Sequence, residues 1–484
     1  MAVFFGSSIS AESQRIRALV RKGAARQLAP RLYTDDLATP PEEVIRQHLF
    51  VILAHFFPDA LISYRSAFEG SPSPGGSFHI TYGKTIRAVD LPGLTIRIWP
   101  GPGAGAQDTR VGPGLFMASR HRALLENLQR TRARSDEERK VLPRTQIEDW
   151  IEGQIRLLGW SAIDQLLIDA RSEASGLGLA DELEELEAMV EALRAGRPEM
   201  LTSSTAKARA LGRPYDPDRI SLFRALAVRL AQESFRSVAS SPAAEATSRA
   251  FWESYFSNYI EGTIFTVEEA RRIVFEHIFT SRPKDAHDVS ANYRLILDPD
   301  DNRATGADAE SFLNLLQIRH ARLMAERPED SPGAFKREAN QVGGRLFVRP
   351  ELVRATLAMG WKIGADLRDP AARALYIAFV VAEVHPFTDG NGRIARLCMN
   401  AELTRAARMR WVVPTSLRTD YVTCLEALTA GRNPDPWVRL GHRLIEFAAA
   451  VPGASGLDAT EAHFRSIGAL ADRPGGFGGA VLSL

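Results

Sequence analysis

The period of hydrophobic and polar positions changes along the chain and separates a mixed N-terminal part from a helical C-terminal part. Apolar and polar residues alternate from Phe78 to Trp99, which predicts half-buried strands of a small antiparallel sheet. Residues 145–235 follow a helical period, except that residues 195–218 show no strong period and are predicted to contain a linker. Residues 371–384 are mostly apolar and lack glycine and proline, so they predict a buried helix.

Near the N-terminus, the segment from Ser10 to Leu28 predicts a basic helix. Its cations are Arg15, Arg17, Arg21, Lys22 and Arg26. Two interpretations are open: the cations neutralise the phosphates of DNA, or the helix packs on its own domain with its charges in solvent.

Composition and charge narrow the class of protein. With 484 residues, the chain is long enough for two or three domains, each with its own core. A formal net charge of +1 argues against polyelectrolyte binding by the whole chain. Cys398 and Cys424 are too few for a disulfide framework. We find no signal-peptide pattern and no run of about 20 apolar residues, and therefore predict a cytoplasmic protein without a membrane partner.

The most informative segment is HPFTDGNGRIAR, from His385 to Arg396. Pro386 cannot continue the apolar helix before it and disfavours helical geometry at His385, so the histidine is predicted where helix becomes loop. The two glycines of the segment allow successive N–H groups to converge on one anion. A second helix, predicted from Ile394, would point its N-terminus at the same anion.

Two arginines and a carboxylate indicate the same ligand. Arg393 and Arg396 lie on one face of the first turn of the second helix. Cations at a helix N-terminus oppose the helix dipole, so an anionic ligand explains them better than helix stability does. Asp389, just before the turn, is placed to hold Mg²⁺ between phosphate oxygens. The segment therefore predicts a phosphate site with a general base, His385, beside it.

The segment resembles the signature of Fic-domain enzymes, His-x-Phe-x-Asp/Glu-Gly-Asn-Gly-Arg-x-x-Arg, and fills every defined position. The resemblance implies transfer of AMP from ATP to a Ser, Thr or Tyr hydroxyl of a protein. It implies that His385 is the general base, that Phe387 packs beneath the loop and that Asp389 binds Mg²⁺. The kinase-like death-on-curing toxins have lysine where this chain has Gly392, so AMP transfer is favoured over phosphorylation.

The resemblance also implies how the nucleotide is bound. Gly390, Asn391 and Gly392 would form the anion hole, with Asn391 near the α-phosphate. Arg393 would contact the β-phosphate, and Arg396 the γ-phosphate. Together these five residues would hold the triphosphate at the start of the second helix.

A second motif lies more than a hundred residues upstream. Ser257, Glu261 and Gly262 resemble the inhibitory motif Ser/Thr-x-x-x-Glu-Gly/Asn of many Fic proteins. An amphipathic helix is predicted to enter this motif and to stop at Gly262. The resemblance implies that Glu261 pairs with Arg396 and blocks productive binding of the γ-phosphate. The alternative is a surface glutamate before a helix-capping glycine.

Weaker resemblances extend in both directions. Residues 331–335 and 342–350 resemble the segment that leads into a β-hairpin flap, which would hold a target peptide by strand addition. The Fic resemblance covers roughly residues 250–445. Arg31–Thr34, after the basic helix, resembles the start of AbiEi-type antitoxins, in which a small winged helix precedes a strand, although the glycine of that pattern is absent.

The interpretation that joins these features is an autoinhibited protein adenylyltransferase that uses ATP and Mg²⁺ and modifies a target protein or itself. One alternative is a DNA-binding, antitoxin-like regulator with a subordinate Fic domain. Another is an enzyme that removes AMP, with Glu261 orienting a water. The sequence leaves the target and the oligomeric state open.

The expected fold is multidomain, with a mainly α Fic domain after an α+β N-terminal region. That region is predicted to combine a winged helix with a small antiparallel sheet. We predict six segments: a winged-helix-like element (1–35), an AbiEi-like α+β region (36–145), a helical region with a linker (146–240), an inhibitory helix (241–265), the Fic domain (266–450) and an extension with a mobile tail (451–484).

Overall fold

The structure is a computed structural model that describes residues 3–6, 9–131, 139–240, 245–278, 281–342, 345–451 and 456–471. The chain forms two compact units, Met1–Gly212 and Arg213–Leu484. The six predicted segments are finer than these units and remain predictions, and the predicted mobile tail lies outside the described residues. Among the described helices, none combines the length and apolar content that a membrane span requires.

The first unit combines two sheets with helices. It begins with β1 (Val3–Phe5), α1 (Ser10–Arg21), β2 (Arg26–Ala29) and β3 (Leu32–Thr34). Next come α2 (Pro41–Gln47), α3 (Leu49–Phe56), β4 (Ala60–Ile62), α4 (Tyr64–Glu69), β5 (Ser77–Thr81), β6 (Arg87–Leu91), β7 (Leu94–Trp99), β8 (Thr109–Gly112), β9 (Leu115–Met117) and α5 (Arg120–Leu128). The unit ends with α6 (Arg144–Leu158), α7 (Trp160–Leu177), α8 (Ala180–Arg194) and α9 (Ser204–Ala210).

The alternating segment from Phe78 to Trp99 is confirmed as strands, but the sheet is mixed and larger than predicted. Its six strands follow the order β6-β7-β5-β4-β9-β8. The pairs β5–β7 and β4–β9 are parallel, and the others are antiparallel. Strand β7 lies between β5 and β6 in the sheet. It therefore pairs with both, parallel to β5 and antiparallel to β6.

The N-terminal helix is shorter than predicted. Helix α1 ends at Arg21 because Gly23 turns the chain with φ = 67°, and Ala24 N–H closes the turn on the Leu19 carbonyl at 2.9 Å. The chain then forms the hairpin β2–β3, and β1 pairs with β3. Since the described part of residues 1–35 holds this one helix, it does not contain a complete helix-turn-helix, and the antitoxin-like interpretation stays a prediction.

The predicted linker at residues 195–218 contains a packed helix. Ser203 caps α9 by accepting from the N–H groups of Thr205 and Ala206, and Ala206 is fully buried. The Glu148 carboxylate accepts from the N–H of Ser203 at 2.6 Å and ties this turn to α6. A helix of seven residues makes about two turns, which is too short for a hydrophobic period to show in the sequence.

The second unit is helical apart from one small hairpin. Its elements are α10 (Pro217–Ala231), α11 (Ala246–Ile260), α12 (Val267–Phe275), α13 (Pro283–Leu297), α14 (Ala309–Leu323), β10 (Gln341–Val342), β11 (Arg345–Leu346), α15 (Pro350–Gly364), α16 (Pro370–Val384), α17 (Asn391–Arg405), α18 (Arg418–Gly431), α19 (Asp435–Ala450) and α20 (Gly456–Ser466). The predicted helical domain with a β-hairpin flap is confirmed, and β10 pairs antiparallel with β11.

Two helices of this unit position the site. The predicted buried helix is α16, and its central residues, such as Tyr376 and Phe379, are fully buried. Helix α11 was predicted to be amphipathic, but residues 250–258 are buried on every side because the helix is enclosed by other helices of the unit. Thr266 and Glu269 form a capping box at the start of α12.

Candidate active site

The loop between α16 and α17 begins with a strained histidine. His385 caps α16 in a left-handed conformation with φ = 52°. Its N–H still donates to the Val381 carbonyl at 3.0 Å, and Pro386 then ends the helix. The sequence places the helix end correctly, but it does not show that a non-glycine residue takes this conformation.

The His385 imidazole lies against an aromatic ring. Phe347 stacks on it, with ring centroids 3.8 Å apart. Nδ1 lies 3.4 Å from the Ala382 carbonyl oxygen, which can only accept, so Nδ1 carries the proton and Nε2 is the free base. Burial, and then the charge of Lys336, lower the pKa of His385 to about 4. At neutral pH the imidazole is therefore uncharged and able to accept a proton.

Helix α17 begins directly at the glycine-rich turn. Gly390 caps it with φ = 76°, and the helix starts at Asn391, earlier than the predicted start at Ile394. A Cβ on Gly390 would also lie 3.1 Å from the Met324 sulfur. The first N–H groups of a helix have no acceptor within it, and the helix dipole favours an anion there. This end of α17 is therefore suited to bind phosphate.

The Asn391 side chain contacts its own loop. Its Oδ1 accepts from the Phe387 N–H at 2.8 Å, and its Nδ2 donates to the Phe387 carbonyl at 2.9 Å. The residue is only 2% exposed. The side chain thus closes the loop, and a contact between Asn391 and a phosphate would come from its backbone N–H.

Phe387 is buried beneath the loop and stacks on a histidine that the sequence did not indicate. His320 lies parallel to it, with ring centroids 3.8 Å apart. Its Nδ1 accepts from the Gly333 N–H at 2.9 Å, which places the proton on Nε2, 3.1 Å from the Asp389 carbonyl. His320 is thus a support of the loop. It lies on α14, without a local motif that could have revealed it.

Arg393 lies between two carboxylates. It donates to Asp288 at 2.6 Å and to Asp389 at 3.1 Å. Arg327 also donates to the same Asp288 oxygen, at 2.9 Å. Burial raises the pKa of Asp288, but the hydrogen bond from His287 and the charges of Arg393 and Arg327 outweigh it, so the pKa is lowered. Asp288 therefore stays ionised and fixes Arg393 at the start of α17.

Asp389 is the residue of the loop that fits a metal ion. Its side chain is 50% exposed, whereas that of Arg393 is almost fully buried. Among the described residues, no group of three or more His, Cys, Asp or Glu could hold a metal by itself. Mg²⁺ is commonly held by one or two carboxylates together with substrate phosphates. The donors present therefore fit a Mg²⁺ ion that arrives with a nucleotide.

Arg396 is engaged by helix α11. Its Nε donates to the Ser257 hydroxyl at 2.9 Å, and its Nη2 donates to the Ser257 carbonyl at 2.8 Å and to the Glu261 carboxylate at 2.7 Å. Burial disfavours the charge of Arg396, but Glu261 and Tyr421 outweigh it and raise the pKa. Gly262, with φ = 88°, follows the last turn of α11 and lets the chain leave.

Part of the predicted site lines one cavity of about 480 Å³, whereas Asp389, Gly390, Asn391 and Arg393 are not among the lining residues. His385, Gly392, Arg396 and Glu261 line it, together with Phe347 and Tyr421. A pocket of this size accepts a small-molecule ligand of the size of a nucleotide. The base, the anion-binding helix end and the carboxylate that holds Arg396 therefore open onto the same space.

Comparisons with known proteins show what this chain is similar to. Residues 312–403 match the model of the Fic/DOC family. Protein adenylyltransferase fic-1 of Caenorhabditis briggsae is 32% identical over 124 residues, which are 25% of this chain and 24% of that protein. Protein adenylyltransferase Fic of Drosophila persimilis is 26% identical over 195 residues, 39% of this chain and 38% of that protein.

A solved structure of a Fic-domain-containing signalling protein from Bacteroides thetaiotaomicron covers 50% of this chain and 97% of its own, with 18% identity and a TM-score of 0.38. The chain thus spans between about a quarter and two fifths of the length of the curated relatives it matches. The match to the family and the loop that it includes lead to one conclusion: the chain contains a Fic domain, over residues 312–403.

Proposed function

We propose that this protein transfers AMP from ATP to a hydroxyl side chain of a target protein, and that Glu261 inhibits the transfer. One observation carries the proposal: an uncharged His385 and the phosphate-binding end of α17 open onto the same cavity. The proposal also draws on the Fic/DOC match and on relatives that are named protein adenylyltransferases.

The proposed reaction uses the free Nε2 of His385 as the general base. The target hydroxyl gives its proton to Nε2 while its oxygen forms a bond to the α-phosphorus. The bond from that phosphorus to the bridging oxygen breaks, and pyrophosphate leaves with the electron pair. The N-terminus of α17 and Arg393 stabilise the phosphate charges. A Mg²⁺ ion at Asp389 would neutralise further phosphate charge.

Inhibition follows from the contacts of Arg396. If Arg396 binds the γ-phosphate in the active state, then Glu261 and Ser257 compete with ATP for its guanidinium. The buried guanidinium needs a partner, so the pair with Glu261 is stable until an anion replaces the carboxylate. In the proposed resting state, Glu261 therefore closes the γ-phosphate position, as the resemblance to the inhibitory motif implies.

The hairpin β10–β11 is the proposed docking place of the target. Strand β11 ends at Leu346, a residue that is 58% exposed. The Leu346 carbonyl accepts from Arg219 of α10 at 2.9 Å, which fastens the hairpin to the helical core. A target segment that adds to this edge would bring its hydroxyl towards His385, because Phe347 directly follows the strand.

The proposal can be tested by incubating the purified full-length protein and candidate targets with ATP labelled at the α-phosphate. We expect label to enter protein, more strongly in Glu261→Gly than in the wild type, and not in Glu261→Gly with His385→Ala. ATP labelled at the γ-phosphate should leave protein unlabelled. Glu276→Gly is a matched control, because Glu276 caps α12 as Glu261 caps α11. Labelling that is equal in all variants would contradict the proposal.

A second candidate function is removal of AMP from a modified protein. Glu261 lines the cavity together with His385, so its carboxylate could orient a water for attack on the phosphodiester. Release of AMP from a modified target by the wild type, and its loss in Glu261→Gly, would favour this activity over inhibition alone.

The first unit offers a further candidate, binding to DNA. Helix α1 exposes its cations to solvent, among them Arg15, Arg17 and Arg21. Phosphate neutralisation by such cations makes DNA binding strongly dependent on salt. Titration of the full-length protein with promoter DNA at two salt concentrations, with Arg17→Ala and Arg21→Ala as variants, would separate this role from a solvated helix.

A further inference from the structure

The backbone of His385 needs support from outside its own helix. His385 has φ = 52°, and a left-handed conformation at a non-glycine residue is unfavourable and persists only where the surroundings impose it. Along the chain, His385 is joined to an apolar helix and to a proline. The helix supplies one bond, from the His385 N–H to the Val381 carbonyl, and the proline supplies none, so the remaining support comes from tertiary contacts.

The first support is Lys336, in the segment before the hairpin. Its backbone N–H donates to the Pro386 carbonyl at 2.9 Å. Its ammonium group donates to the Val384 carbonyl at 3.4 Å and to the Asn340 side chain at 2.6 Å. The residue is 5% exposed. Lys336 thus holds the carbonyls on both sides of His385.

The second support is Asn340, which continues the same network. Its Nδ2 donates to the Phe387 carbonyl at 3.0 Å, and its own carbonyl accepts from the Phe347 N–H at 3.2 Å. Phe347 carries the ring that stacks on the imidazole of His385. One short segment therefore fixes both the backbone of the histidine and the ring against which its side chain lies.

We propose that Lys336 and Asn340 are positioning residues for His385, holding its left-handed backbone and its stacked imidazole in the geometry that accepts the proton of the target hydroxyl. The proposal rests on the proposed function, in which His385 is the general base. A displacement of about 1 Å at a reacting group can cost on the order of 100-fold in rate, so contacts that define this position affect turnover more than nucleotide binding.

The placement of a buried lysine next to a buried histidine agrees with this role. Burial, and then the charge of Arg219, lower the pKa of Lys336 to about 7, and charged Lys336 in turn lowers the pKa of His385. The negative charges of Glu261 and Asp389 instead raise the pKa of His385. The other charged groups that line the cavity are Arg345, Glu383, Arg396 and Glu426. Removing the lysine charge should therefore raise the pKa of His385.

The test uses the full-length Glu261→Gly protein as the parent, with Lys336→Met, Lys336→Arg and Asn340→Ala added singly. We expect Lys336→Met and Asn340→Ala to lower kcat for AMP transfer by about 10- to 100-fold and to change KM for ATP by less than about 2-fold. Lys336→Arg, which keeps the charge and the donors, should recover most of the loss. Lys362→Met, at an exposed lysine of α15, is the control.

A second measurement does not depend on activity. NMR titration of His385 in labelled protein should give a higher pKa in Lys336→Met than in the parent, and circular dichroism should verify that each variant is folded. If the parent is inactive but Lys336→Met still raises the pKa of His385, the proposed function is rejected. The placement of Lys336 beside His385 is then retained. An active parent with unchanged kcat in Lys336→Met and Asn340→Ala would reject the inference, and so would an unchanged His385 titration.

Discussion

The Glu261 carboxylate lies directly against Gly392, in the first turn of α17. A Cβ added to Gly392 would come within 2.2 Å of Glu261 Oε1. Gly392 has helical backbone geometry, so the carboxylate, and not a special backbone angle, explains the need for glycine in this closed state. The residue that pairs with Arg396 therefore also occupies the space above the phosphate-binding end of the helix.

This contact predicts that Gly392→Ala and Glu261→Gly are coupled. In the wild type, the added methyl group should displace Glu261 and cost about 1–3 kcal/mol of unfolding free energy. In Glu261→Gly, the same change should be neutral or stabilising by up to about 1 kcal/mol, since alanine favours helix over glycine. Urea unfolding of the four proteins measures the coupling. Gly431→Ala, at a helical glycine with open space around it, should have the same effect in both backgrounds.

Ser257 should contribute to inhibition, but less than Glu261. In Ser257→Ala, Arg396 loses the hydroxyl that accepts from Nε and keeps its bonds to the Ser257 carbonyl and to Glu261. We expect protein labelling from α-labelled ATP to rise severalfold over the wild type, to a level below that of Glu261→Gly. Ser254→Ala is a control, because that hydroxyl donates to Val289 instead. Equal labelling in Ser257→Ala and the wild type would assign inhibition to the carboxylate alone.

Stability should fall in acid because of His320. Burial lowers its pKa from 6.5 to about 4, so the folded state disfavours the protonated form. The contribution of His320 to stability is full above pH 6.5 and is lost as the pH falls to about 4, by at most about 3 kcal/mol. In His320→Asn, the unfolding free energy should be lower at pH 7 and should depend less on pH in this window. His277→Asn, at an exposed position, should keep the wild-type dependence.

We expect Asp389 to be needed for AMP transfer and to contribute little to the stability of the fold. Its side chain is half exposed, and its pair with Arg393 is supplemented by Asp288, so Asp389→Ala should change the unfolding free energy by about 1 kcal/mol or less. In the Glu261→Gly background, we expect labelling to be lost when Asp389→Ala is added, and also when a chelator removes Mg²⁺. Asp288→Ala should instead lower stability, because it leaves Arg393 and Arg327 without their shared buried carboxylate.

Much of the second unit was predictable from local patterns. The apolar helix before the loop, its end at Pro386, the capping box at Thr266 and the hairpin all follow from residues that are close in sequence. Two features of the helices do not follow from such patterns. Helix α17 begins at Asn391, directly after the left-handed Gly390 and before the apolar period at Ile394. Helix α11 is buried all round by neighbours that no period in its own sequence reveals.

The sequence by itself determined the loop on which the candidate site is built, because the residues from His385 to Arg396 are contiguous and their turns depend on proline and glycine. Tertiary structure decided the state of that site. Glu261 and Arg396 are separated by 135 positions, and only packing of α11 beside α17 brings their charged groups to 2.7 Å. The left-handed backbone of His385 likewise depends on Lys336 and on Asn340. Such contacts depend on long-range packing and burial, which a local pattern of residues does not specify.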